Sequence, residues 1–175
     1  MNILLLGPQG SGKGTQAKRI AGEYGLAHIA TGEILRSAIA AETPLGLEVK
    51  EIVEGGSLVP DELMINLLRE RLDEEDTREG FILDGFPRTM AQAQALDAML
   101  AEIGRTLDAI LFFDLPDDIA RERMRRRAVE EDRPDDTPEA MERRLDIYHR
   151  ETEPVVEHYR ATGRLVPLHA GRTIS

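Results

Sequence analysis

The chain has 175 residues, of which 41% are hydrophobic, and a formal net charge of −11. This length and composition predict a single globular domain. The acidic balance argues against nucleic-acid or membrane binding through a bulk electrostatic field. The sequence has no cysteine, which excludes disulfides and a thiolate zinc site. It contains neither a long apolar run nor the pattern of a secretory signal, so we expect a cytoplasmic protein.

Apolar segments of strand length alternate along the chain with segments of helical periodicity. The predicted strands are Ile3–Leu6, Ala27–Ala30, Gly80–Leu83, Ala109–Asp114 and Leu165–Leu168. The predicted helices lie near Gly14–Tyr24, Thr31–Ala40, Leu45–Glu54, Asp61–Leu72, Met90–Ile103, Asp117–Arg127 and Pro138–Tyr159. Asp61, Thr89 and Thr137 are predicted to be N-caps or first-turn residues. The alternation favours a parallel sheet covered on both faces, which binds ligands at the carboxyl ends of its strands.

Two segments do not fit a minimal layered domain. The segment 31–59 inserts two helices between the second and third strands and closes with Gly55 and Gly56. The segment 128–136 is short and highly charged and contains Pro134, so we expect an exposed loop between two helices. At the other end of the chain, Gly171–Ser175 is typical of the start of a further helix.

A glycine-rich loop follows the first strand and precedes the first helix, with the sequence Gly-Pro-Gln-Gly-Ser-Gly-Lys from Gly7 to Lys13. Glycines let the backbone point its N–H groups at phosphate oxygens, and the helix N-terminus adds positive partial charge. Lys13 adds a mobile ammonium group, so the loop predicts phosphate binding. The generic motif places Ser or Thr after the lysine, to hold Mg²⁺. Here Gly14 occupies that position and Thr15 follows it, so direct hydroxyl ligation of the metal is not expected.

From Gly12 onward, a series of motifs follows in order: the blocks Gly12–Gln16, Thr31–Arg36, Gly56–Asp61, Phe81–Thr89 and Arg123–Arg127, and the single residues Arg133 and Arg144. In this order they resemble the adenylate kinase family. The segment Asp-Gly-Phe-Pro-Arg that ends at Arg88 is the most specific of them. The family implies a fold of the P-loop NTPase type, α/β, with a five-stranded parallel sheet and helices on both faces. It also implies a helical monophosphate-binding insertion at 31–59, a short lid loop at 127–136, and a core formed by 1–30, 60–126 and 137–175.

The resemblance implies that the chain moves the γ-phosphoryl group of MgATP to AMP, reversibly giving two ADP. It further implies Mg²⁺ as the cofactor, no zinc site, and a monomer that binds ATP, AMP and ADP. The residues it assigns to ATP are Gly10, Ser11, Gly12, Lys13, Gly14, Thr15, Arg123, Arg127 and Arg172. Those it assigns to AMP are Thr31, Arg36, Ser57, Leu58, Val59, Gly85, Phe86, Pro87, Arg88, Gln92, Arg133 and Arg144.

Within these sets, the catalytic roles implied by the resemblance fall on Lys13, Arg88, Arg127, Arg133 and Arg144. Arginine suits phosphate because its planar fork makes paired hydrogen bonds to phosphate oxygens. No general base is needed, since the attacking oxygen belongs to a phosphate that is already ionised, so positioning and charge stabilisation suffice. Asp84 ends an apolar strand, where a carboxylate either caps the strand or orients Mg²⁺ through its water shell; a P-loop fold favours the second role.

Two other functions remain open from the sequence. A UMP/CMP kinase resembles this family, but Thr31 and Gln92 favour adenine, since an amide can pair with the N6 and N1 edge of that base. An inactive nucleotide sensor is disfavoured because the cationic residues are all present. A GTP-driven switch would need an Asn-Lys-x-Asp segment, and neither Asn2 nor Asn66 is followed by Lys. Since water competes as acceptor, we hypothesise that 31–59 and 127–136 close over both nucleotides.

Overall fold

The sheet is the centre of the fold. In a computed structural model that describes residues 1–132 and 137–170, the strands are β1 (Asn2–Leu6), β2 (Ala27–Ala30), β3 (Phe81–Asp84), β4 (Ala109–Asp114) and β5 (Leu165–His169). Their order is β2-β3-β1-β4-β5, and every neighbouring pair is parallel. The predicted five-stranded parallel sheet is therefore confirmed over the described part of the chain, with strand ends within one residue of prediction.

Helices connect successive strands. Their bounds are α1 (Lys13–Tyr24), α2 (Thr31–Ala40), α3 (Pro44–Glu54), α4 (Asp61–Leu72), α5 (Met90–Glu102), α6 (Asp117–Glu130), α7 (Pro138–Ile147) and α8 (Glu153–Arg160). A short 3₁₀ turn, Glu75–Thr77, precedes β3. Both faces of the sheet are covered. On β1, Ile3 and Leu5 pack on the side of α1, whereas Leu4 and Leu6 pack with side chains of α4, α5 and α8, because successive strand residues point to opposite faces.

The predicted helix Pro138–Tyr159 is not one helix. It divides into α7, a π-helical turn at Tyr148–Thr152, and α8. The physical reason is Pro154, in the first turn of α8: proline has no N–H to donate and its ring collides with the carbonyl one turn earlier, so a regular helix cannot pass through it. The π-helical turn accommodates the interruption of the helix at Pro154. The last residue of this turn is Thr152, whose hydroxyl donates to the carbonyl oxygen of Arg88.

Helix α6 is longer than the prediction Asp117–Arg127. It continues to Glu130, so the segment expected to be a loop from Ala128 begins as helix. Nothing between Ala128 and Glu130 breaks a helix. Residues 133–136, which belong to the predicted lid loop, lie outside the described residues.

All three residues predicted to be N-caps or first-turn residues are confirmed. The hydroxyl of Thr89 accepts from the backbone N–H of Gln92, and that of Thr137 accepts from Ala140, so each satisfies an open donor at its helix N-terminus. Asp61 lies in the first turn of α4, directly after the N-cap Pro60. Its carboxylate bonds to residues near the start of α5.

The crossing of α2 and α3 depends on Gly46. A Cβ atom there would lie 2.1 Å from the carbonyl oxygen of Ala38, so the helices approach too closely for a side chain. We expect Gly46→Ala to lower the free energy of unfolding by about 1–3 kcal/mol. The matched control is Gly22→Ala, since Gly22 is an exposed position in α1 with nothing within 4 Å of its added Cβ. The free energy of unfolding of Gly22→Ala should rise by about 0.5–1 kcal/mol. Urea denaturation measures the free energy of unfolding of both variants. Equal stability of the two variants would contradict the close crossing.

Candidate active site

A cleft of about 460 Å³ opens at the carboxyl edge of the sheet. Its size falls in the range of small-molecule sites. Among the described residues, its walls are the glycine-rich loop after β1, the segment Asp84–Arg88 after β3, and parts of α6 and α7. The predicted ATP residues Gly10, Ser11, Gly12, Lys13, Gly14, Thr15, Arg123 and Arg127 all line it. The sheet topology thus brings the predicted phosphate loop to the edge where a parallel sheet binds ligands.

The backbone of the loop requires glycine. Gly10 and Gly12 have φ of 80° and 90°, a region that favours glycine. A Cβ at Gly7 would lie 2.7 Å from the carbonyl oxygen of Phe113, and one at Gly10 would lie 2.9 Å from that of Ala120. Gly12 is also the N-cap of α1 and makes no side-chain cap, so the first-turn N–H groups are available to an anion. The buried hydroxyl of Ser11 has no hydrogen-bond partner among the described residues.

Lys13 is folded back onto the loop. Its ammonium group donates to the carbonyl oxygens of Gly7 and Pro8 at 2.8 and 2.9 Å. Burial lowers the pKa of Lys13 from 10.5 to about 8; the nearby Asp84 carboxylate opposes this change, and the charges of Arg88 and Arg127 add to it. The cation is therefore held in a site that penalises its charge. A bound polyphosphate would favour the charged form.

Asp84 lies at the floor of the cleft, at the end of β3. A Cβ on Gly14 would be 3.8 Å from a carboxylate oxygen of Asp84, so the glycine leaves space beside that oxygen, where a threonine or serine would project a side chain. Thr15 is exposed on the same cleft. Oxygen donors next to a phosphate-binding loop suit Mg²⁺, which binds through one or two carboxylates, several waters and substrate phosphates. These residues therefore fit the metal that the resemblance implies.

Four arginines from different elements meet in this cleft. Arg36 comes from α2, Arg88 from the segment after β3, Arg127 from α6 and Arg144 from α7. Burial lowers the pKa of Arg88, and the charges of the other three lower it further, while the Asp84 carboxylate opposes them. An anion placed among these four side chains would favour the charged form of Arg88.

Identifiable contacts hold three of these arginines. Arg88 Nε donates to the carbonyl oxygen of Gly85 at 2.8 Å. Arg127 donates to the side chain of Gln9 at 3.4 Å, and Arg144 donates to the carbonyl oxygen of Val53 at 3.2 Å. The last contact connects α7 to the end of α3, inside the predicted monophosphate segment.

Arg123 and Arg127 share one face of α6, as predicted from their spacing. Both line the cleft, and Arg123 donates to the carbonyl oxygen of Gly10 at 3.4 Å. The same helix carries arginines that the sequence leaves without a role. Arg121 pairs with Glu142 and Arg125 is exposed. Arg126, to which the sequence also gives no role, lines the cleft. Only part of the arginine-rich segment therefore belongs to the cleft.

A smaller cavity of about 60 Å³ adjoins the cleft. It is lined by the predicted AMP residues Thr31, Arg36, Ser57, Leu58, Val59, Gly85, Arg88, Gln92 and Arg144. Phe86 and Pro87 line the larger cleft instead, and Phe86 is 1% exposed in the core. The hydroxyl of Thr31 is buried with no hydrogen-bond partner among the described residues. Gly85, at φ 89°, leaves room for it, since a Cβ there would lie 2.7 Å from the Thr31 hydroxyl.

Several residues that line these cavities were not predicted. Gln9, Gly32, Leu35, Met64, Tyr148 and Thr152 are among them. Gln9 could have been found from its place inside the glycine-rich loop. Met64 could not, because its spacing in α4 is that of an ordinary core residue. Arg133 and Arg172, both predicted, lie outside the described residues.

The described residues contain neither a candidate metal-binding cluster nor a candidate membrane-spanning helix. In ranges 1–132 and 137–170, no group of three or more His, Asp and Glu side chains is arranged to hold a metal ion. Over the same ranges, no helix combines the length and apolar character needed to span a membrane.

The fold and the loop define the class of protein. A parallel α/β sheet with a glycine-rich loop, a half-buried lysine at the N-terminus of α1 and an arginine-lined cleft is a P-loop nucleotide-binding fold.

Comparison with known proteins then gives the family. The adenylate kinase family model matches residues 5–164. An adenylate kinase from Methylobacterium nodulans is 50% identical over 174 residues, covering 96% of this chain and 87% of the relative. One from Stenotrophomonas maltophilia is 47% identical, covering 94% and 88%, and one from Micrococcus luteus is 50% identical, covering 90% and 77%. The chain belongs to the adenylate kinase family, and the resemblance found in the sequence is confirmed. These matches do not favour a UMP/CMP kinase or an inactive sensor.

Proposed function

We propose that the protein transfers the γ-phosphoryl group of ATP to AMP and, in reverse, makes ATP and AMP from two ADP. The observation that carries this proposal is the shared wall of the two cavities. Arg36, Arg88, Arg127 and Arg144 line both the cleft of the glycine-rich loop and the smaller cavity beside it. A triphosphate on the loop and a monophosphate in the smaller cavity would therefore meet at these four cations.

The chemistry needs no protein base. An oxygen of the AMP phosphate forms a bond to the γ-phosphorus while the bond from that phosphorus to the β,γ-bridging oxygen breaks, and the leaving group is ADP. Lys13 and the arginines offset the charge that builds on the transferring group, and positioning supplies most of the remaining rate. Mg²⁺, held through Asp84 and water, would neutralise the β- and γ-oxygens when bound.

The acceptor base has polar contacts available. Thr31 offers a buried hydroxyl without a partner among the described residues, and Gln92 is 1% exposed beside the same cavity. Apolar walls from Leu35, Val59 and Met64 enclose the space. A few placed polar groups in an apolar pocket are typical of a base-binding site. This arrangement supports the assignment of Thr31 and Gln92 to the adenine of AMP.

The smaller cavity must widen to admit a nucleotide. Its volume, about 60 Å³, is far below the roughly 300 Å³ at the lower end of ligand sites. One of its walls belongs to the segment 31–59, which contacts α7 through Arg144 and through Gly56, where an added Cβ would lie 2.5 Å from the Ala140 carbonyl oxygen. The small volume of this cavity supports motion of 31–59 relative to the core. The division into core, monophosphate segment and lid stays a prediction, as do the cytoplasmic location and the monomeric state.

A coupled assay tests the proposal, with MgATP as donor and AMP, UMP, CMP and GMP as separate acceptors. We expect rapid ADP formation with AMP and rates at least about a hundredfold lower with the pyrimidine nucleotides, because a single ring fills less of the base cavity and uracil presents the reverse donor and acceptor pattern to Gln92. A comparable rate with UMP or CMP would overturn the choice of acceptor. No transfer to any monophosphate would overturn the proposed reaction.

A further inference from the structure

Asp61 holds the side chain of Gln92 from outside the cavities. It is the first residue of α4 and is not among the described residues that line either cavity. One of its carboxylate oxygens accepts from Gln92 Nε2 at 2.9 Å and from the Thr89 hydroxyl at 3.0 Å. On the other end of the amide, Gln92 Oε1 accepts from the backbone N–H of Arg88 at 2.7 Å.

These partners fix which end of the amide is oxygen and which is nitrogen. The Asp61 carboxylate can only accept, so it requires the amide nitrogen of Gln92. The backbone N–H of Arg88 can only donate, so it requires the amide oxygen. A flipped amide would place oxygen against carboxylate and donor against donor. Since Gln92 is 1% exposed, water could not repair either mismatch.

The fixed amide has one N–H and one oxygen lone pair left. Together they complement a base edge with an adjacent acceptor and donor, which is the N1 and 6-amino edge of adenine. A 6-oxo purine such as hypoxanthine presents the reverse, a 6-oxo acceptor and an N1 donor, and it would need the flipped amide. A Gln side chain alone does not discriminate between these bases, because rotation by half a turn exchanges its two ends.

We propose that Asp61 is a positioning residue that fixes the orientation of the Gln92 amide and thereby sets the preference for a 6-amino over a 6-oxo purine monophosphate. This inference rests on the proposed function, in which Gln92 faces the acceptor base. Asp61 acts through Gln92 and touches no substrate.

The test compares AMP with IMP as acceptors in Asp61→Asn and in the unaltered protein. The side-chain amide of an asparagine at position 61 can either donate to Gln92 or accept from it. In this variant, only the backbone N–H of Arg88 still disfavours the flipped Gln92 amide. We expect the ratio of kcat/KM for AMP to that for IMP to fall about tenfold or more. The KM for MgATP should be unchanged. The matched control is Glu62→Gln, which removes the neighbouring exposed acid from the same first turn of α4 and should leave the ratio as it is.

The possible outcomes separate the inference from the proposed function. If Asp61→Asn lowers kcat/KM for AMP and IMP by the same factor, Asp61 only joins α4 to α5, and the inference is wrong while the proposed function stands. If the unaltered protein phosphorylates neither acceptor, the proposed function itself fails. Thermal unfolding of both variants verifies the fold, since each loses one favourable charge at a helix N-terminus.

Discussion

Replacing Arg88 with alanine is expected to lower kcat/KM for AMP by about a thousandfold, the range for removing an arginine from a transferring phosphoryl group. Arg88 lies where the two cavities meet, beside Arg36, Arg127 and Arg144. The ATP-facing loop does not depend on Arg88 for its backbone geometry, so MgATP affinity should change little. Steady-state kinetics with AMP varied, and calorimetry with MgATP alone, measure the two effects separately.

The control is Arg125→Ala, an exposed arginine on α6 that removes the same charge without touching the cavities. Its kcat/KM should equal that of the unaltered protein. If Arg88→Ala instead abolished MgATP binding and left AMP binding intact, the assignment of the two cavities would be reversed.

The affinity of the protein for MgATP is expected to fall as the pH rises above 8. Burial lowers the pKa of Lys13 to about 8, so Lys13 is charged below that pH and neutral above it. Phosphate binding favours the charged form, so binding above pH 8 requires proton uptake and weakens by up to about tenfold per pH unit. Titrations between pH 7.5 and 9.5, a range in which the ATP phosphates stay ionised, measure this slope.

Lys13→Met should remove the slope and lower kcat by about a hundredfold or more, because a preorganised cation at the phosphates is lost. Lys50→Met is the control, since Lys50 is exposed on α3 and should leave both slope and kcat unchanged. A slope that persists in Lys13→Met would assign the titration to another group.

Local elements were well predicted from the sequence. Strand ends agree within one residue, and Thr89 and Thr137 cap the helices they precede. Such features depend on neighbours along the chain, which the sequence displays directly. The prediction of one continuous helix across Pro154 was wrong. The helical periodicity of the side chains continues past the proline, but proline has no N–H, and this breaks the regular hydrogen bonding of the backbone.

The hydrogen bonds of Asp61 were not predicted, because an acid at the start of a helix is explained by the helix itself. Its partners Thr89 and Gln92 are about thirty positions away along the chain, and only the packing of α4 beside α5 brings them within reach. In the same way, the close crossing at Gly46 depends on the path of α2 against α3 and leaves no local pattern.

The sequence by itself determined that this chain has a phosphate-binding loop and belongs with the adenylate kinases, because loop, lysine and the segment ending at Arg88 are contiguous motifs whose chemistry depends on order and spacing. The tertiary structure alone decided which arginines meet, how far burial lowers the pKa of Lys13, and which way the Gln92 amide faces. The first two properties depend on distances between α2, β3, α6 and α7 and on burial, and the third depends on the packing of α4 beside α5. No local pattern specifies these distances.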